Sequence, residues 1–549
     1  MKRIISLALL VYSFVLTGCA TYGAGIDGAI KQVQNENYSG AESSFKRALS
    51  PTGNDRLLYH LELALVKQLE GDYESSNQLL EQAERIAEEL ETISLSKSLM
   101  VMMSNPRKGT YGGADFEKIY INYFKAINYF ALAEQAESTS QYLTALDGAR
   151  VESRRLVMRL NEINDRKGNY SAEDEDAQTF RSLLKLFDTL LRGNLIDLDS
   201  LKYRDDAMAH YLTGLSFEMN REYDNARISY QRAASSYERG FAKQYLLGEE
   251  IIEQAWFDTI RMMRLAGNYQ REWPRLAKQK LSTAKRAELD LWQKDSAQLV
   301  VLEHKGLIPQ RKEMNLVLSL NQDLHAIQLR PLLNLDDEPG LAWFYLLYAD
   351  KGIAGAVTAF MDAKNYGIFS YGFTKTVPLG PLWHNAASLG LIDAMSPALR
   401  VAVPYYEPLE ALPNSYLVIN NQKTSLIKSA NPGLMAIQEQ MVNASVDINQ
   451  AFARSALKAL LAQQLENVNQ NYGALFAMAG KLAMQFTDAA ETRNWLLLPQ
   501  DIRLQRTILE PGQHDIELNS EFYGKQKQQQ RSIELAAGEI YLWQVRSLP

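Results

Sequence analysis

The chain is nearly without cysteine: among 549 residues there is one, Cys19. A lone thiol leaves no disulfide to form, so stability has to come from buried apolar surface. Histidine is scarce as well. His60, His210, His304, His325, His384 and His514 share no ligand spacing, and neither a metal nor a cofactor is expected. Positive charge is not in excess: 58 Lys and Arg stand against 65 Asp and Glu, a net −7 with no block of like charge. That composition excludes nucleic acid as a partner, because phosphate recognition needs a basic face. Past the N-terminus no apolar run reaches the roughly 20 residues of a membrane-spanning helix. Val300 to Leu302 and Leu341 to Tyr348 are core-length stretches. Gly-x-Ser-x-Gly, His-Glu-x-x-His and the phosphate-binding Gly-Lys-Ser/Thr are all missing, so no recognisable catalytic motif marks the chain as an enzyme.

What is present starts at the N-terminus. Lys2 and Arg3 precede the apolar stretch Ile4 to Leu16, and the run Leu16-Thr17-Gly18-Cys19 closes it. Charged region, apolar region and small-residue cleavage site make an export signal over residues 1–18. The cysteine after Leu-Thr-Gly resembles a bacterial lipobox, which implies acylation of Cys19 and a mature chain starting there. Two or three acyl chains exceed the one-chain threshold for stable anchoring. Ala20-Thr21 puts no aspartate at the second mature position, which by resemblance to lipoprotein sorting signals implies the outer membrane, with the body facing the periplasm. Loss of Lys2 and Arg3 takes the formal charge from −7 to −9.

Internal repetition comes next. Tyr38, Tyr73 and Tyr223 align, followed at fixed offsets by Ala41, Ser76 and Ala226, then Phe45, Leu80 and Tyr230, then Ala48, Ala83 and Ala233. Nine residues upstream stand Ala29, Ala64 and Gly214. Small residues at these offsets let paired helices approach, the skeleton of a tetratricopeptide repeat (TPR), although the early aromatic of helix A and the terminal proline are missing. Tyr120, Tyr123, Phe124, Ile127 and Phe130 add an apolar stripe at three- and four-residue steps within a strongly helical stretch, Phe116 to Leu160. Asn164 to Asp176 reads as a solvated turn or linker.

The expected class is mainly α: a TPR-like helical solenoid over 19–295, a mixed α/β region over 296–490, and a small antiparallel β module over 491–549. Strands are expected at Ala297–Leu302, Leu399–Pro404 and Tyr416–Ile419, the last ending in a turn at Asn420-Asn421. A helix is expected from Ala444 to Met484. In the tail, period-two alternation and the turns Pro511-Gly512 and Ala537-Gly538 predict four short strands. The glutamine-rich stretch Gln526 to Gln530 reads as an exposed loop or hairpin.

Several motifs stand in a fixed order: Tyr111-Gly112-Gly113-Ala114-Asp115-Phe116-Glu117, Ala149-Arg150-Val151-Glu152-Ser153-Arg154-Arg155, Gly306-Leu307-Ile308-Pro309, Ala402-Val403-Pro404-Tyr405-Tyr406 and Thr492-Arg493-Asn494-Trp495-Leu496-Leu497-Leu498-Pro499. With the lipobox and the repeats, this order resembles a group of uncharacterised proteobacterial TPR-like lipoproteins, nearly end to end. The resemblance points to cell-envelope assembly and carries no activity with it.

Asp115 and Glu117 are either a carboxylate pair or the acidic start of a helix, favoured there by the helix dipole. The arginines around Glu152 are either anion-binding forks or a helix face with Glu152 paired to Arg155. Trp495 reads as a core anchor, and His304-Lys305 as the edge of a site. The concave face of a solenoid suits peptides and protein segments. The expected function is therefore a scaffold for envelope proteins or peptides, held to the membrane by its N-terminal lipid, with Tyr59, Tyr123, Tyr211, Arg150 and Arg154 as contact residues. The alternative is an envelope enzyme acting on peptidoglycan or a surface glycan, with its chemistry between Ala297 and Asn420.

Overall fold

The computed structural model describes residues 21–103, 106–165, 205–332, 374–388, 390–395, 398–406, 409–468 and 489–549. The expected export signal, Cys19, most of Asn164–Asp176, Leu341–Tyr348 and the end of the helix expected to reach Met484 lie outside them.

Small residues dictate the first half. Four helical hairpins follow one another: α1 (Thr21–Gln34) with α2 (Tyr38–Ala48), α3 (Arg56–Glu70) with α4 (Tyr73–Met103), α5 (Asp115–Glu134) with α6 (Thr139–Asp165), and α7 (Ala207–Met219) with α8 (Tyr223–Ser236). Successive hairpins pack on each other, and α9 (Glu250–Ala266), α10 (Trp273–Lys280) and α11 (Thr283–Leu291) continue the array. The aligned small positions Ala29, Ala41, Ala64, Ser76, Ala83, Ala226 and Ala233 are all fully buried. At the aligned Gly214 there is no room for a side chain: a Cβ there would lie 2.7 Å from the Tyr230 ring. Asn37 caps α2 through a bond from Gly40 N, and Gly71 supplies the left-handed residue that ends α3.

Three sheets fill the second half. The first has the order β12 (Ile540–Ser547), β1 (Ala297–Lys305), β9 (Asp501–Leu509), β8 (Ile427–Ala430). The second runs β11 (Lys525–Leu535), β10 (Gly512–Phe522), β6 (Ser415–Ile419), β7 (Gln422–Ser425). The third runs β4 (Lys375–Pro378), β3 (Ala326–Leu332), β2 (Arg311–Asn321), β5 (Leu399–Tyr406), and the long helix α12 (Pro432–Val468) packs on β5. β1 pairs parallel with β12 and antiparallel with β9.

Every residue of β1 is buried, because the two faces of its pleat meet different partners. Val300 and Leu302 join the core shared with the helices, while Ala297, Leu299 and Val301 pack with Leu417, Ile516 and Leu518 of the second sheet. The first sheet is thus the middle layer between the helical array and the second sheet.

The strand expectations at 297, 399 and 416 are met, and Asn420 and Asn421 adopt positive φ in the β6–β7 turn. Three expectations need correction. The tail is not a separate module: β9 and β12 flank β1, and β10 pairs with β6. The glutamines 526–530 are strand, because their backbone pairs with β10 while their side chains face water. The helix expected from Ala444 begins at Pro432, where proline suits a first turn.

Candidate functional site

Four of the five ordered motifs, far apart in the chain, meet or adjoin at one place, between α3, α5 and the segment leading to β9; Ala149–Arg155 lies elsewhere, against Glu222 and Lys125. Glu117, on the first turn of α5, is buried and accepts three bonds: from Tyr111 Oη at 2.5 Å, Ala114 N at 2.8 Å and Trp495 N at 2.8 Å. Glu62 of α3, fully buried, accepts from Leu496 N at 2.6 Å and Leu497 N at 3.2 Å. Burial pushes both carboxyls up, Glu62 to about 8. Arg493 reaches the same corner. It bonds Asp55 Oδ1 at 2.7 Å, Pro106 O at 3.0 Å and Gly109 O at 2.9 Å, pairs with Glu491, and lies over the Tyr111 ring.

Beside this junction Asn494 ties the start of β2 in place, accepting from Arg311 N and donating to Pro309 O. The Arg311 guanidinium lies 5.5 Å from the centre of the Tyr406 ring. Glu439 on α12 accepts from Asp115 N, and burial with Asp115 nearby pushes it up to about 7. Burial likewise raises Asp447, whose Oδ2 takes a bond from Gln440. Of the Asp115–Glu117 pair, then, Glu117 closes the helix start and the motif junction, while Asp115 is half exposed and sits 3.7 Å from Lys118.

A second junction lies deeper. Glu218 of α7 meets Arg261 of α9 at 2.5 Å and Arg506 of β9 at 2.6 Å, and Asp258 bonds both arginines and the Tyr211 hydroxyl. All four charged groups are buried. Burial acts to raise Glu218, and the two guanidiniums more than reverse it, holding the carboxyl below its usual range. A third contact joins Tyr123 Oη to His304 Nε2 at 3.0 Å. Burial and the neighbouring Arg546 bring His304 down to about 3, which removes it from proton transfer near neutrality.

These contacts relocate the expected contact residues. Tyr123 and Tyr211 do not line an open groove: both are buried, and the inner face that α5 and α7 present is filled by the chain's own first sheet. Tyr59 is half-buried with its ring against His60. Arg150 and Arg154 remain partly exposed on α6, where both reach Glu222 at the start of α8. The Glu152–Arg155 pair is present at 3.2 Å, with Lys125 of α5 added at 3.1 Å from Glu152. Trp495 is fully buried, its ring 6.0 Å from that of Phe124. Glu62, Glu218, Arg506 and Glu439 went unread in the sequence because each sits in an ordinary helix or strand pattern, and only the partner identifies it.

No protein-family model matches the chain, and no curated protein matches it. Among the described residues no helix is long and apolar enough to cross a membrane, and no three metal-ligating side chains gather.

Proposed function

We propose that this is an outer-membrane lipoprotein facing the periplasm, whose helical hairpins form a TPR-like array and whose role is to hold envelope proteins or peptides at the inner face of that membrane. The observation that carries the reading is Leu16-Thr17-Gly18-Cys19 together with the start of α1 at Thr21. Two residues extend at most about 7 Å, so an acylated Cys19 holds the body against the bilayer without a linker. In the TPR-like array the inner face is taken by the chain's own sheet. Partners therefore meet its outer surfaces and the edges of the second sheet rather than the tyrosines of α5 and α7.

An envelope enzyme is the second reading, and the feature favouring it is Glu439, an acid raised to about 7 beside Asp115 and Arg311. A general acid works best with a pKa near the operating pH. Palmitate labelling of the unaltered chain and of Cys19→Ala, followed by membrane fractionation, tests the first reading. Label and outer-membrane recovery should both vanish in the variant. An unaltered chain that takes up no palmitate overturns the anchor and the role that depends on it.

A further inference from the structure

The space between the first and second sheets changes character along its length. At one end it is apolar; at the other it holds Glu303, Lys305, Asp501, Arg503, Ser415, Ser520 and Ser547, all buried. The pairing explains the cluster, since Lys305 stands opposite Asp501 and Glu303 opposite Arg503 on the same face. The segment Leu409–Asn414, which has no regular structure and exposes Glu410, Ala411 and Asn414, lies across this polar end.

Four consecutive carbonyls of that strap are gripped by side chains. Gln500 Nε2 donates to Glu410 O at 2.6 Å, Tyr523 Oη to Ala411 O, and Arg503 to Leu412 O at 3.0 Å and Pro413 O at 2.7 Å. Lys305 Nζ adds a second bond to Pro413 O at 2.8 Å. The strap's own N–H groups donate no bond among the described residues, so it is held by its carbonyls and two leucines. Leu412 fills the space that a Cβ on Gly306 would need, and Leu409 does the same at Gly433. Donors aimed at successive main-chain oxygens, with two notches three residues apart, are the features of a groove for extended polypeptide.

Two buried groups there lack full satisfaction. Glu303 Oε2 and Asp501 Oδ1 have no hydrogen-bond partner, although both residues are fully buried. Lys305 bonds a carbonyl and the Ser415 hydroxyl at 2.9 Å, both neutral, and burial lowers it to about 8. Arg503 keeps its ion pair with Asp501 at 3.0 Å and Lys305 its bond to Ser415 whichever chain lies above them, and their remaining partners are a half-exposed loop's carbonyls, which the carbonyls of another chain can replace at little electrostatic cost.

We propose that residues 409–414 occupy in cis a groove that binds an extended, leucine- and proline-bearing segment of a partner protein, which displaces the strap on docking. The inference deepens the scaffold reading and rests on it. It gives that scaffold a peptide site outside the helical array, closed until a partner competes.

The probe is a fluorescein-labelled peptide of residues 409–415, measured by anisotropy on the mature chain carrying Cys19→Ser, with the strap either intact or replaced by glycine and serine at equal length. The strap-replaced chain should bind saturably. The intact chain should bind at least about tenfold more weakly, because a tethered competitor acts at an effective concentration on the order of millimolar. Arg503→Gln in the strap-replaced chain should weaken binding by about tenfold, the loss of a charge-assisted bond. A strap-replaced chain that keeps its melting transition and binds no peptide overturns the proposal, as does an intact chain that binds equally well. Should the replacement unfold the chain, a fluorophore on Ala411→Cys in the intact protein reads displacement directly, and a signal unchanged up to the peptide's solubility limit counts against the proposal. Failed palmitate labelling would remove the anchor and leave this result untouched, so the two readings fall separately.

Discussion

Glu62 and Glu117, on different helices and 55 positions apart, hold three consecutive backbone N–H groups, those of Trp495, Leu496 and Leu497. The helical array thereby grips the segment that enters β9 by its backbone. Arg493 fastens the same segment from the other side through Asp55 and two loop carbonyls.

Glu62→Ala strips the acceptor from two buried N–H groups, and each such loss costs about 1–3 kcal/mol. A clear drop in the thermal midpoint is expected. Glu62→Gln should recover only part of the stability, because its one amide oxygen can accept from one of the two N–H groups while its NH2 faces the other.

The same pair of variants tests the acid's charge state. Burial raises Glu62 from 4.5 to about 8, so between those values the native state holds the proton that the unfolded state releases. Its contribution is complete below pH 4.5 and is lost as pH rises through 8. Relative to Glu62→Gln, the unaltered chain should lose melting temperature across that range. If it gains instead, the carboxyl is ionised in the fold.

Arg506→Met removes one of the two cations facing Glu218 and Asp258. Breaking a buried ion network by removing one partner costs about 3–5 kcal/mol. Denaturant unfolding should show that loss, and adding Glu218→Gln to the variant should recover part of it. A purely additive double variant would mean the charges are not coupled.

Gly214→Ala drives a methyl group into the Tyr230 ring, an overpacking worth about 1–3 kcal/mol of destabilisation. Gly28→Ala, within α1 and with open space around it, should instead gain up to about 1 kcal/mol. Melting curves of the two variants should move in opposite directions.

Tyr123→Phe deletes the hydroxyl bonded to His304 Nε2 and leaves the rings in place. The expected cost is about 1 kcal/mol, that of one buried hydrogen bond. A midpoint equal to that of the unaltered chain would show that the bond does not hold the first sheet to α5.

Local patterning was legible where one period dominates. The small residues around Tyr38, Tyr73 and Tyr223 marked helix pairs, because close approach needs them whatever the pair goes on to meet. Strands β1, β5 and β6 were readable from β-branched runs, and the β6–β7 turn from Asn420-Asn421. Strands β2 and β3 were not assigned from the sequence, although β2 alternates between buried and half-buried positions through its middle. The glutamines of β11 concealed a strand because β-propensity reports side-chain packing, whereas an edge strand is held by its backbone.

The sequence by itself determined the helical pairing of the first half and the strand character of the tail. Those rest on interactions within about ten residues, for which spacing is sufficient information. Only the tertiary structure decided what fills the inner face of the helical array, that β1 lies between β12 and β9, and that Glu62, Glu117 and Glu218 are buried fasteners rather than surface charges. Each of these depends on a partner more than 40 residues away, and what a carboxylate does is set by the donors and cations the fold brings to it.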